Sequence, residues 1–151
     1  MTRQPTDWKK AQKKASNTAR CAVTMTKVRI RRMFARTRWQ LVTFYGASGG
    51  ESVGVVDLLA IRKDHRTHRL GIKRGDALQL IMIQVKGGQA AMPTDEDGRR
   101  LRAVAQRHHA REVLLASWKR GSQVRFFSLR RKAIASRRDW SEVPDVEDVF
   151  R

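Results

Sequence analysis

Apolar and polar positions divide the chain into helical and extended stretches. Over Ser16–Arg38, apolar or small residues fall at Ala19, Ala22, Val23, Thr26, Ile30, Met33, Phe34 and Thr37, the spacing of a helix with one buried face. Trp39–Tyr45 is a short apolar run with aromatics and predicts a strand. Two longer apolar runs follow, Val53–Ile61 and Ala77–Lys86, each suited to a strand buried in a sheet. Thr94 then opens a second helix, Asp95–Ala110: Asp97 stands three residues on as in a capping box, and Asp95 and Glu96 favour a helix N-terminus. That helix buries Leu101, Val104, Ala105 and, by spacing, His108. Glu112–Trp118 and Gln123–Leu129 read as strands joined by a glycine-containing turn. Helix, strand, strand, strand, helix, strand, strand is an α/β order that gives a mixed sheet flanked by helices.

The polar residues inside the two long apolar runs are the chemistry-bearing ones. Asp57 interrupts the first, and the second ends in Gln84-Val85-Lys86. Side chains alternate along a strand, so Gln84 and Lys86 share a face, and pairing of the two runs lets Asp57 join them. A buried acid or lysine needs a compensating partner. An acid, an amide and a lysine on one face suit a divalent metal and an anionic substrate.

Charge sets the partner. Thirty-three Lys+Arg oppose 14 Asp+Glu, a net +19 over 151 residues, while a 40 % hydrophobic share is that of a folded chain. Such a surplus calls for a polyanion. Nucleic acid is favoured over a membrane, because no long apolar helix with a basic rim is present. The candidate phosphate contacts are Arg29, Arg32 and Arg36 on the outer face of the first helix, Arg66, Arg69 and Lys73 in the basic insertion 62–76, and Arg99 and Arg102 outside the second helix. A helix face of one sign repels itself unless an anion covers it. His65 and His68 lie three apart but lack a third ligand, so the insertion reads as a backbone-contacting loop rather than a zinc site. The glycine-rich run Gly46–Gly50 fits neither phosphate-binding fingerprint. Cys21, alone, excludes an internal disulfide and reads as a small core residue. The chain divides into a basic arm (1–15), a folded domain (16–132) and an acidic tail (133–151) carrying Trp140. No leader or membrane span is visible, which predicts a cytoplasmic protein.

Gly54-Val55-Val56-Asp57-Leu58-Leu59-Ala60 and the strand-ending Gln84-Val85-Lys86 resemble the two half-motifs of the PD-(D/E)xK nuclease superfamily, in the variant with glutamine in the second half. Size and element order are most similar to its Holliday-junction-resolvase-like and restriction-endonuclease-like members. The resemblance spans about residues 16–129 and implies an αβββαβ restriction-endonuclease-like core. It implies a metal-dependent endonuclease cutting DNA, branched DNA included, with DNA ahead of RNA as partner and a homodimer as assembly. Asp57, Gln84 and the Val85 carbonyl would hold Mg²⁺ or Mn²⁺, with Glu51 as an auxiliary ligand, and Lys86 would orient the attacking water or stabilise developing charge. Gln106 matches a glutamine that some members use near the site. The sequence departs from the pattern in two respects: no acid occurs between Asp7 and Glu51, so the first helix supplies no glutamate to the metal, and glutamine in place of an acid at position 84 removes another negative charge. A catalytically lapsed DNA- or RNA-binding protein of the same fold is the alternative.

Overall fold

The computed structural model describes residues 6–45, 54–66, 71–90, 92–131 and 139–151. Its elements are α1 (Thr6–Phe34), β1 (Gln40–Thr43), β2 (Leu58–Lys63), β3 (Leu78–Gly87), α2 (Asp95–Arg107), β4 (Glu112–Trp118), β5 (Arg125–Leu129), β6 (Trp140–Val143) and a closing 3₁₀ helix, Val146–Phe150. The strands form one sheet in the order β1-β2-β3-β4-β5-β6. All neighbouring pairs are antiparallel except β3 and β4. A parallel pair needs a crossover connection, and α2 is that crossover. The expected αβββαβ order and the mixed sheet flanked by helices are both present.

The alternation within β3 decides what each face carries. Ile81 and Ile83 pack under Ile30, Met33 and Phe34 of α1, whereas Met82 packs with Leu101 of α2 and with Val113. Gln84 and Lys86 continue the series begun by Met82, so they belong to the α2 face. The α2 helix starts with the capping box read from the sequence: the Asp97 N–H donates to Thr94 Oγ1 at 3.1 Å, and the Thr94 N–H to Asp97 Oδ2 at 3.2 Å. It runs back to the far end of the sheet, where the Arg111 N–H donates to the Leu80 carbonyl at 2.7 Å.

Several boundaries differ from expectation. Helix α1 begins at Thr6 rather than Ser16, and residues 7–17 are all exposed, so no buried face marks those turns. It stops at Phe34, whose carbonyl accepts from the Thr37 N–H at 2.9 Å and from the Thr37 hydroxyl at 3.3 Å. Strand β2 starts at Leu58, not Val53; Val55 is instead buried in the cluster beneath α2. The acidic segment 133–151 reads in the sequence as a tail outside the folded domain. It is instead woven into the fold, with β6 pairing along β5 from Phe126↔Val143 to Leu129↔Trp140. Val146 and Phe150 are buried in the α1-side core. There the Phe150 ring meets Phe34 edge-on at 5.1 Å, and the Phe150 carbonyl accepts from Trp39 Nε1 at 2.7 Å. Cys21 is exposed rather than buried: it stands one residue before the inward-facing Ala22, about 100° away around the helix. His108 is exposed at the end of α2, not packed beneath it.

Candidate active site

Where β2 begins, the backbone leaves regular pairing and a side chain takes over the strand contact. The Asp57 N–H still donates to the Ile83 carbonyl at 3.0 Å, but the Val85 N–H donates to Asp57 Oδ2 at 2.6 Å instead of to a main-chain carbonyl. The carboxylate is thereby fixed against β3 between Gln84 and Lys86. Continuing the Leu58↔Ile83 register by one place sets Asp57 opposite Gln84. The Val85 carbonyl leaves the strand on the same side as its N–H, the side from which Asp57 approaches.

Gln84 is 6 % exposed, and its Oε1 is sealed from solvent with no hydrogen-bond partner among the described residues. A buried amide oxygen left unpaired costs about 1–3 kcal/mol, so a fold tolerates it where something else uses the oxygen. Lys86, two residues on and on the same face, is half-buried, and its register partner is Ser117 of β4. Carboxylate, amide oxygen and main-chain carbonyl are hard oxygen donors of the kind Mg²⁺ and Mn²⁺ take, with water or phosphate oxygens filling the rest of an octahedron. The donor set fits such an ion, and it is sparse. Among the described residues no three His, Cys, Asp or Glu side chains group into a metal site. Glu51, Arg69 and His68 lie outside the described residues.

Among the described residues the expected phosphate contacts are spread over several elements. Arg29 and Arg32 are exposed along α1, Arg99 is exposed on α2, and Lys73 is exposed in the insertion. Arg36 and Arg66 border one basic cleft of about 590 Å³, shared with Arg38, Lys63 and His65. Gln79 also lines that cleft, and at about 3.3 Å per residue it sits some 23 Å along β3 from Lys86. Arg102 is a correction: its guanidinium is largely buried and paired with Asp139 at 2.6 Å, and its Nε donates to the Arg130 carbonyl. Its charge is spent inside the protein because the tail folds in beside α2. Gln106, exposed near the end of α2, borders a cleft at the end of the sheet opposite Lys86 and is not part of the site.

That opposite end holds what the sequence did not disclose. Asp64 is buried and accepts from Arg66 through both carboxylate oxygens, with Nη2–Oδ2 at 2.6 Å. The Arg66 hydrogen bonds hold its carboxyl well below the usual carboxylate range. A cleft of about 900 Å³ opens there, lined in part by Asp64, Gln79, Arg102, Arg111 and Glu112. Arg62 and Arg111 converge on Gln79 Oε1 (2.8 and 3.4 Å) and on the Arg151 main-chain oxygen (2.7 and 3.1 Å). Only the isolated acid inside a basic stretch hinted at this network.

No protein-family model matches the chain, and no curated protein matches it. Among solved structures it is similar to Hjc, a Holliday junction resolvase of the archaeal hyperthermophile Archaeoglobus fulgidus. The match has 14 % sequence identity and a TM-score of 0.43, covering 82 % of this chain and 89 % of that one.

Proposed function

We propose that this chain is a divalent-metal-dependent endonuclease that cuts DNA phosphodiesters, with branched, four-way DNA among its substrates. The observation that carries the reading is the sealed, unpartnered Oε1 of Gln84, on the strand face that also bears Lys86 and beside the place where Asp57 is tied to Val85. Asp57, Gln84 and the Val85 carbonyl would hold Mg²⁺ or Mn²⁺. Such an ion, when bound, offsets charge on the scissile phosphate and makes water more acidic. The chain's own residues do the remaining work. The Val85 N–H holds the Asp57 carboxylate in one orientation, so ligand geometry is set before substrate arrives. Lys86 brings a positive charge to a phosphate oxygen on which negative charge grows, or orients the water that attacks phosphorus. Cutting two strands of a branched substrate needs two such sites, which a homodimer supplies.

The single carboxylate favours a second reading, in which the same fold binds DNA or RNA without cutting it. Supercoiled plasmid, a four-way junction and single strands, incubated with Mg²⁺ or Mn²⁺, separate the two. Metal-dependent cutting that Lys86→Ala abolishes supports the nuclease. Tight, salt-sensitive binding with every substrate intact supports the binder.

A further inference from the structure

Arg36 and Arg66 border a cleft at the far end of the sheet, yet one positively charged element leaves the sheet at the Lys86 rim. Helix α1 passes close over Gly87 and Gly88, directly after Lys86. A Cβ on Gly87 would lie 2.8 Å from Ala22 Cβ and 3.0 Å from the Thr18 carbonyl oxygen, and one on Gly88 2.9 Å from Thr18 Cγ2. N-terminal to this crossing α1 continues for three more turns with residues 7–17 all exposed. At about 1.5 Å per residue those 11 residues extend roughly 16 Å past the crossing. They carry Lys9, Lys10, Lys13 and Lys14 against one acid, Asp7, and end near Trp8, which is 59 % exposed under the Lys9 ammonium.

Nothing in the described fold rewards this overhang. The like-charged pairs Lys9–Lys13 and Lys10–Lys14 stand one turn apart and oppose helix formation, and no apolar face packs there. The placement of the charges has an order of its own. Lys9, Lys13, Arg20, Lys27 and Arg31 follow one another at intervals of four, seven, seven and four residues, which keeps them within about 40° of one line on the helix. The overhang therefore continues a basic ridge that runs along the body of α1.

We propose that the overhanging turns of α1 are a clamp for the backbone of duplex DNA entering the Lys86 rim. The proposal rests on the DNA reading above and names the element that holds the substrate. A span of about 16 Å covers roughly five base pairs at 3.4 Å each, with phosphates facing all four lysines. The lysines fix the duplex and carry no sequence preference.

The test is a variant with Lys9, Lys10, Lys13 and Lys14 all changed to Gln, which disturbs no packed side chain. Binding to a blunt duplex and to a four-way junction is measured without divalent metal, between about 50 and 200 mM salt. The slope of log affinity against log salt should become shallower by about 3–4, and affinity near physiological salt should fall by about two to three orders of magnitude. The matching Lys→Arg variant should bind as the wild type does. An unchanged slope overturns the clamp, even where the wild type cuts DNA. Loss of binding to phosphatidylserine vesicles, with DNA binding intact, overturns it in favour of a membrane surface. An arm-dependent slope in a protein that leaves every DNA uncut with Mg²⁺ supports the clamp and overturns only the nuclease reading.

Discussion

Replacing Gln84 with Met is expected to make the protein more stable and catalytically silent at once. Methionine is close to glutamine in length and flexibility, so the strand keeps its packing while the sealed, unpartnered Oε1 is removed. Relieving that acceptor should return about 1–2 kcal/mol of the penalty for an unpaired buried group. For a chain of this size that is a rise in melting temperature of roughly 3–6 °C. Metal should act the other way round. In the wild type, Mg²⁺ at ten times its dissociation constant adds about 1.4 kcal/mol, and the variant should gain little. Thermal melts with and without Mg²⁺, alongside plasmid nicking, give all these quantities. A variant that melts lower than the wild type and still nicks DNA would make Gln84 a structural residue with no part in the chemistry.

Substitutions at three other positions separate structure from chemistry. Asp57→Ala leaves the Val85 N–H without its acceptor and should cost about 1–3 kcal/mol in urea unfolding. Asp57→Asn keeps an acceptor oxygen, should unfold close to the wild type, and should be as inactive as the alanine variant. Gly87→Ala forces a methyl group into Ala22 and the Thr18 carbonyl, so it should destabilise by about 1–3 kcal/mol and shift the melt accordingly. The Asp64 carboxyl, held low by Arg66, contributes stability at all pH above its unfolded value near 4 and loses it as pH falls below that value. Asp64→Asn should therefore show a flatter dependence of stability on pH in the acid limb than the wild type.

The central strands β3 and β4 could be read from the sequence because both their faces are buried over consecutive residues, which makes each a near-continuous apolar run. The limits of β4 coincide with the reading, and the Thr94 capping box marked the start of α2. The early turns of α1 carry no apolar stripe, so hydrophobic periodicity has nothing to register there. The tail differs for another reason: two of its five acids, Asp139 and Glu142, pair with Arg102 and Arg125, while Val146 and Phe150 do the burying. Counting charges makes such a segment look like a solvated strand of acids. For the site, alternation along β3 placed Gln84 and Lys86 on one face. The Asp57 contact with the Val85 N–H and the sealing of Gln84 Oε1 depend on how β2 leaves its register, which no residue pattern encodes. Arg102 looked like one more outward arginine because its partner is 37 residues away.

If Asp57 and Gln84 address one divalent ion, the location of that ion can be read without any turnover of substrate. Fe²⁺ substituted for Mg²⁺, with ascorbate and peroxide, generates hydroxyl radicals that cut the polypeptide beside the metal. Cleavage is expected at the start of β2, around Asp57, and at the end of β3, around Gln84, with both lost in Gln84→Met and suppressed by excess Mg²⁺. Cleavage elsewhere, for example around Asp64 and Glu112, or no protein cleavage at all, would contradict an ion shared by Asp57 and Gln84.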